Sequence, residues 1–116
     1  MVRFDEVRGW ALELPGVEEG MSYGTPALRV RGKLLARLRD EDGAMVLKVA
    51  PEVRNLLLTI NPATYYITPH YEGYPAVLVR LEAADPAELR DLLIDAWRDH
   101  ASKRLIAEYE RGKTGN

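Results

Sequence analysis

Seven basic side chains, Arg29, Arg31, Lys33, Arg37, Arg39, Lys48 and Arg80, sit among apolar residues in a pattern that changes character at every second position. Leu28 and Val30 alternate with Arg29 and Arg31. Beyond Gly32, Leu34, Ala36 and Leu38 alternate with Lys33, Leu35, Arg37 and Arg39, and Met45, Leu47 and Val49 leave Lys48 opposite. A period of two predicts strands with the apolar set on a buried face and the bases on a wet one. The chemistry open to such a face is anion binding, since guanidinium forks take phosphate oxygens two at a time without regard to base sequence. Every charged residue within the strands read this way is a base, while most acids fall on helices, in turns or in the first loop. The same side chains also serve a plain structural end, because long basic stems shield apolar neighbours and blunt strand edges. If six of them each neutralised a phosphate, log affinity would fall against log salt with a slope of about −5. Sequence-independent affinity would then be about 10⁻⁴–10⁻⁶ M at physiological salt.

A second cluster lies in the loop Thr68-Pro69-His70-Tyr71-Glu72-Gly73-Tyr74-Pro75. His70, Tyr71 and Tyr74 offer rings on which exposed bases can stack, at ~1–3 kcal/mol per base. The ordinary use of such aromatics is to pack a loop onto a sheet, with each hydroxyl reaching water or a carbonyl.

Catalysis finds little material. His70 and His100 are the only histidines, and Ser22 and Ser102 the only serines, with no G-x-S-x-G around either. There is no H-E-x-x-H, no P-loop and no G-x-G-x-x-G. Asp91, Asp95 and Asp99 recur every fourth residue, which describes a solvated helix face beside Arg90 and Arg98 better than a metal site. Glu18-Glu19 and Asp40-Glu41-Asp42 lack EF-hand spacing. Without cysteine there is no disulfide framework and no thiolate ligand or nucleophile. The expectation is a protein that is not an enzyme and has no cofactor and no metal.

The elements that must position these residues can be read from periodicity. Phe4, Val7, Trp10, Ala11 and Leu14 form one apolar helical stripe that Pro15-Gly16 ends, and a polar loop is expected through Gly24. A three-stranded meander follows over Pro26 to Val49, turning at Arg31-Gly32-Lys33 and at Asp40-Glu41-Asp42-Gly43. Pro51-Glu52 opens a second helix with Val53, Leu56, Leu57 and Ile60 as its packing side, and Asn61-Pro62 closes it. Residues 64–68 and 76–81 read as two further strands. Asp85-Pro86-Ala87-Glu88 begins a third helix with Leu89, Leu92, Leu93, Ala96 and Trp97 as its stripe, and Ser102 caps a short fourth bearing Leu105, Ile106 and Tyr109. The predicted fold is α+β: a two-layer sandwich of a five-stranded antiparallel sheet with helices on one face and water on the other. Residues 1–110 form one domain and residues 111–116 a loose tail.

The whole chain of 116 residues has room for one hydrophobic core, and its 47% apolar and 29% charged composition suits a compact fold. No stretch approaches the ~20 apolar residues of a membrane span, and Met1-Val2-Arg3-Phe4-Asp5-Glu6 turns acidic without a signal-peptide core, so a cytoplasmic protein is expected. The net charge of −2 conceals an uneven distribution, with residues 26–50 carrying six bases against three acids.

Leu14-Pro15-Gly16-Val17-Glu18-Glu19, Gly24-Thr25-Pro26, Arg29-Val30-Arg31-Gly32-Lys33, Val46-Leu47-Lys48-Val49 and above all the Thr68–Pro75 loop resemble the MmcQ/YjbR family. The likeness continues through Trp97 to Lys103-Arg104-Leu105 and so covers nearly the whole chain. It implies a CyaY-like (frataxin-like) α+β fold and the family's customary description as DNA-binding, for which a double-wing surface has been proposed. The family brings no transferable catalytic residues, and the Thr68–Pro75 loop is its characteristic element. Of an acidic ridge for iron, this chain has only Asp5, Glu6 and Glu13 on its first helix. The expected function is therefore a DNA-binding or regulatory module working through the basic sheet face. The alternatives are an adaptor whose basic face meets an acidic protein surface, and a small-ligand or metal binder using His70, Tyr71 and Tyr74. An exposed sheet edge is compatible with a monomer or a weak dimer.

Overall fold

The computed structural model describes residues 2–22, 24–39 and 43–114, with side chains through residue 112. Helix α1 (Phe4–Leu12) starts where the Arg3 backbone N–H donates to Glu6 at 3.0 Å, and Asp5 and Glu6 complement the positive end of its dipole. The chain leaves α1 through Pro15 and Gly16, which has φ +78°. The backbone angle favours glycine there, and a Cβ would stand 2.8 Å from a Leu105 methyl, which would have to shift to admit it.

Six strands follow: β1 (Val17–Ser22), β2 (Thr25–Val30), β3 (Lys33–Arg39), β4 (Ala44–Lys48), β5 (Tyr65–Tyr66) and β6 (Ala76–Arg80). They form one antiparallel sheet in the order β1-β2-β3-β4-β6-β5. The sequence predicts five strands, and the sixth is β1, which lies where a polar loop is expected. Val17-Glu18-Glu19-Gly20-Met21-Ser22 has no apolar alternation because β1 is an edge strand, held by its pairing with β2 along its full length. Its glutamates also end the rule that every charged strand residue is a base.

Helix α2 (Pro51–Ile60), helix α3 (Pro86–His100) and α1 lie on one face of the sheet. Their residues Phe4, Val7, Ala11, Leu57, Leu89, Leu93 and Ala96 bury Leu28, Ala36, Met45, Leu47, Val77 and Val79. Asp85 caps α3 by accepting from the Glu88 N–H at 2.9 Å, as its sequence predicts. The predicted packing side of α2 is only partly realised: Leu57 is buried, but Val53, Leu56 and Ile60 are 37%, 56% and 63% exposed. Helix α2 rests against β5 and β6 at the narrow end of the sheet, where β5 is two residues long and offers little apolar surface to cover.

Helix α4 (Lys103–Thr114) closes a second cluster. Leu105, Ile106 and Tyr109 pack over Leu14, Val30, Leu35 and Trp97, and Arg98 pairs with Glu110 at 2.6 Å. The helix continues into residues 111–114, assigned above to a tail; Gly115 and Asn116 lie outside the described residues.

Tyr65 is fully buried and donates its hydroxyl hydrogen to the Glu88 carboxylate. Burial first, and then that hydrogen bond to an anion, push its pKa above the ordinary tyrosine range. In the unfolded chain Tyr65 ionises near pH ~10, whereas in the folded chain it keeps its proton beyond that. Its contribution to stability is therefore complete below pH ~10 and is lost as pH rises further. Urea unfolding at several alkaline pH values should show this decline, and Tyr65→Phe should flatten it.

Candidate functional site

The sheet face away from the helices is set by one irregularity. Pairing runs Ala27↔Arg37 and Leu28↔Ala36, then skips to Arg29↔Leu34, so Leu35 is an extra residue on β3. Such a bulge reverses the alternation on either side of it. Leu35 consequently turns inward against Trp97 and Val30 with no exposed surface, while Leu34 turns to the far face. The strict alternation predicted the opposite for both.

The seven predicted bases are sorted by the same geometry. Arg29, Arg37, Arg39, Lys48 and Arg80 belong to the far face: the register pairs Arg37 with Ala27 and Val46, Arg39 and Arg80 with Ala44, Lys48 with Ala76, and Arg29, two residues on from Ala27, with Leu34. Lys33 lies opposite the core residue Val30, on the helix-side parity, and is exposed at the sheet end. Arg31 has φ +53° and precedes Gly32 at +76°, the two central residues of a type I′ hairpin, so it projects from the turn. Arg29 pairs in register with Glu18, crosses over Gly20 and reaches the Met21 carbonyl at 3.4 Å. It is thus drawn toward the acidic edge strand. Arg80 stacks 4.0 Å above the Tyr66 ring and donates to the Pro62 and Ala63 carbonyls at 3.3 Å each.

Three bases remain together. Arg37, Arg39 and Lys48 line an open groove of about 770 Å³. Its floor is Thr25, Leu34, Val46 and Ala76, and its wall is His70, Tyr71 and Tyr74. No acidic side chain is among the described residues that line it. The far face is therefore not a bare wet layer as predicted. A 3₁₀ turn at Pro69–Tyr71 folds back over it, and Tyr71 is buried on Val46, Ala76 and Leu78.

This wall is held at several points. The Tyr71 N–H donates to the Thr68 carbonyl at 2.8 Å and the Tyr74 N–H to the Tyr71 carbonyl at 3.1 Å. The Val49 N–H donates to the Pro75 carbonyl at 3.0 Å, and the Arg54 guanidinium to the Tyr74 carbonyl at 2.9 Å. Gly73, at φ +82°, makes the turn between them. Across the groove, Arg37 Nη2 donates to the Tyr71 hydroxyl at 2.9 Å, tying a cation to the wall. Tyr71 thus has the packing role that aromatics in loops ordinarily take, while His70 and Tyr74 stay exposed. The three rings meet edge to face, with centroids 5.2–6.1 Å apart and planes 82–88° apart. Thr25 and Leu34 are lining residues that sequence reasoning missed; Leu34 was hidden by the bulge, and Thr25 by its place at the start of a strand.

Fold and groove together define a small α+β domain that presents a cationic, aromatic-walled trough on the sheet face opposite its helices. Residues 12–99 match the YjbR family model, and the chain belongs to the YjbR family. That span contains every residue of the groove, whereas α4 lies beyond it. An uncharacterised protein of Mycobacterium tuberculosis and one of Mycobacterium bovis are each 40% identical over 57 residues, 49% of this chain. The aligned part covers 44% of the length of those curated relatives, less than half of each. Among solved structures, the Deinococcus radiodurans protein DR2400, of domain family DUF419, superposes with a TM-score of 0.73 at 25% identity, covering 93% of this chain and 88% of that one. Among the described residues no cluster of metal-ligating side chains occurs, and no helix is long and apolar enough to cross a membrane.

Proposed function

We propose that this chain is a non-enzymatic module that binds nucleic acid, DNA in the first instance, through the phosphate backbone and without sequence preference. The observation that carries the reading is the convergence of Arg37, Arg39 and Lys48 in one groove beside the exposed rings of His70 and Tyr74. Phosphate is the anion these groups suit best: arginine forks are bidentate for it, and lysine supplies a compact charge. The groove wall is already fixed by hydrogen bonds, so little ordering entropy is lost on binding. At physiological salt the field of the overall charge of −2 is screened beyond a Debye length of ~8 Å, so contact there is governed by the local charge of the groove.

Fluorescence anisotropy of a labelled oligonucleotide at low salt tests the reading. The variant carrying Arg37→Gln, Arg39→Gln and Lys48→Gln should lose binding. A control carrying Arg31→Gln, Lys33→Gln and Arg80→Gln removes equal charge and should bind within about twofold of the parent, because those residues lie outside the groove. Equal loss in both variants would mean diffuse attraction, and retention in the first would remove the groove from the function.

A further inference from the structure

Resting on the reading just given, we propose that the groove takes single-stranded nucleic acid, with one base stacked on Tyr74, in preference to duplex. Tyr74 is 52% exposed although it is an aromatic residue in an otherwise pinned loop. Its two ring neighbours, His70 and Tyr71, both stand nearly perpendicular to it, at 88° and 82°. Neither is stacked parallel to Tyr74, and with about half of its surface in water the ring retains area on which a base can lie. A base inside a duplex has both faces covered by its neighbours and cannot use that position; an unpaired base can.

The cations below agree in spacing. Arg37 lies opposite Val46 and Arg39 opposite Ala44, while Lys48 is two residues beyond Val46 in the other direction. Lys48 on β4 and Arg37 and Arg39 on β3 are thus spaced along the strand direction in steps of two residues, about 7 Å each, with Lys48 one strand, about 5 Å, to the side. That is the order of separation of successive phosphates in an extended strand, whose backbone places one sugar between each pair. The volume of about 770 Å³ is within the range of pockets that hold a drug-sized ligand, room for a short single-stranded segment. Backbone on the cations and base on Tyr74 are then satisfied together by one short segment.

The test compares a short labelled oligothymidylate, an abasic strand of the same length and the corresponding duplex, at one low salt concentration. The proposal expects the oligothymidylate to bind tightest, and Tyr74→Ala to weaken it about 5- to 150-fold, the range of one stacked base. Tyr74→Phe keeps the ring and should bind as the parent does. Because residue 74 holds the loop through its backbone N–H and carbonyl, the alanine variant should remain folded, which circular dichroism would verify. Equal binding of the abasic strand, equal binding of the duplex, or an unaffected Tyr74→Ala would overturn the stacking proposal while leaving backbone binding intact. Absence of binding to all three would remove both.

Discussion

Leu35→Lys should unfold the domain, whereas Leu34→Lys, one residue earlier, should leave it folded. Leu35 has no exposed surface and packs with Leu14, Val30 and Trp97. A lysine there loses the apolar burial and leaves an ammonium without a partner, at a cost of several kcal/mol for the charge alone. Adding the transfer free energy of leucine, about 2 kcal/mol, takes the loss to more than ~4 kcal/mol, within reach of the ~5–15 kcal/mol that hold a whole domain together. Leu34 is half-buried on the groove floor, so a lysine there can lift its amine into water, and the change should stay within about 1 kcal/mol. Urea denaturation of the two variants distinguishes the bulged register from strict alternation. Strict alternation reverses the ranking, with Leu35→Lys harmless and Leu34→Lys ruinous.

Trp97→Ala should be the costliest truncation in the second cluster. The indole is fully buried, its Nε1–H donates to the Pro15 carbonyl at 2.9 Å, and Tyr109 meets it edge-on at 5.2 Å. Through these contacts it joins the exit of α1, the bulge of β3 and helix α4. Deleting a buried tryptophan costs about 3–5 kcal/mol, and the stranded carbonyl adds to it. Trp97→Phe loses the hydrogen bond and some volume but keeps most of the burial, so it should cost roughly half as much. Equilibrium unfolding in urea, with the slope against denaturant unchanged, is the appropriate measurement. A loss below ~1 kcal/mol for the alanine variant would show that α4 and the α1 exit do not depend on this side chain.

Helices α1 and α3 and strands β2, β3, β4 and β6 were legible because each buries one side against a continuous core, which imprints its period on the sequence. Strand β1 left no such imprint. Its stability comes from backbone pairing with β2, and backbone hydrogen bonds have no residue signature. The α2 stripe misled for the complementary reason: Val53, Leu56 and Ile60 have helical spacing, but the short end of the sheet gives them nothing to cover. At the site, the residue types were legible and their grouping was not. Arg37, Arg39 and Lys48 were picked out along with four bases that the fold sends elsewhere, because the bulge at Leu35, the positive φ of Arg31 and the acidic register partner of Arg29 all depend on pairing between strands. The loop Thr68–Pro75 stands out in the sequence by its aromatic residues, yet its division into a buried Tyr71 and an exposed Tyr74 follows from where the 3₁₀ turn meets Val46 and Leu78.

The central claim is that three cations, and not seven, face the ligand. Each phosphate neutralised contributes about −0.7 to the slope of log affinity against log salt for a single strand and about −0.9 for a duplex. Three contacts therefore give about −2 to −3, so that a fourfold rise in salt weakens binding by about 20- to 40-fold. Anisotropy titrations of one oligonucleotide across a series of salt concentrations measure this slope directly. The predicted result is a value between about −2 and −3 that falls toward zero in the Arg37, Arg39 and Lys48 triple variant. A slope of about −5 or steeper, reduced as much by changing Arg31, Lys33 and Arg80, would contradict it, as would no binding at the lowest salt.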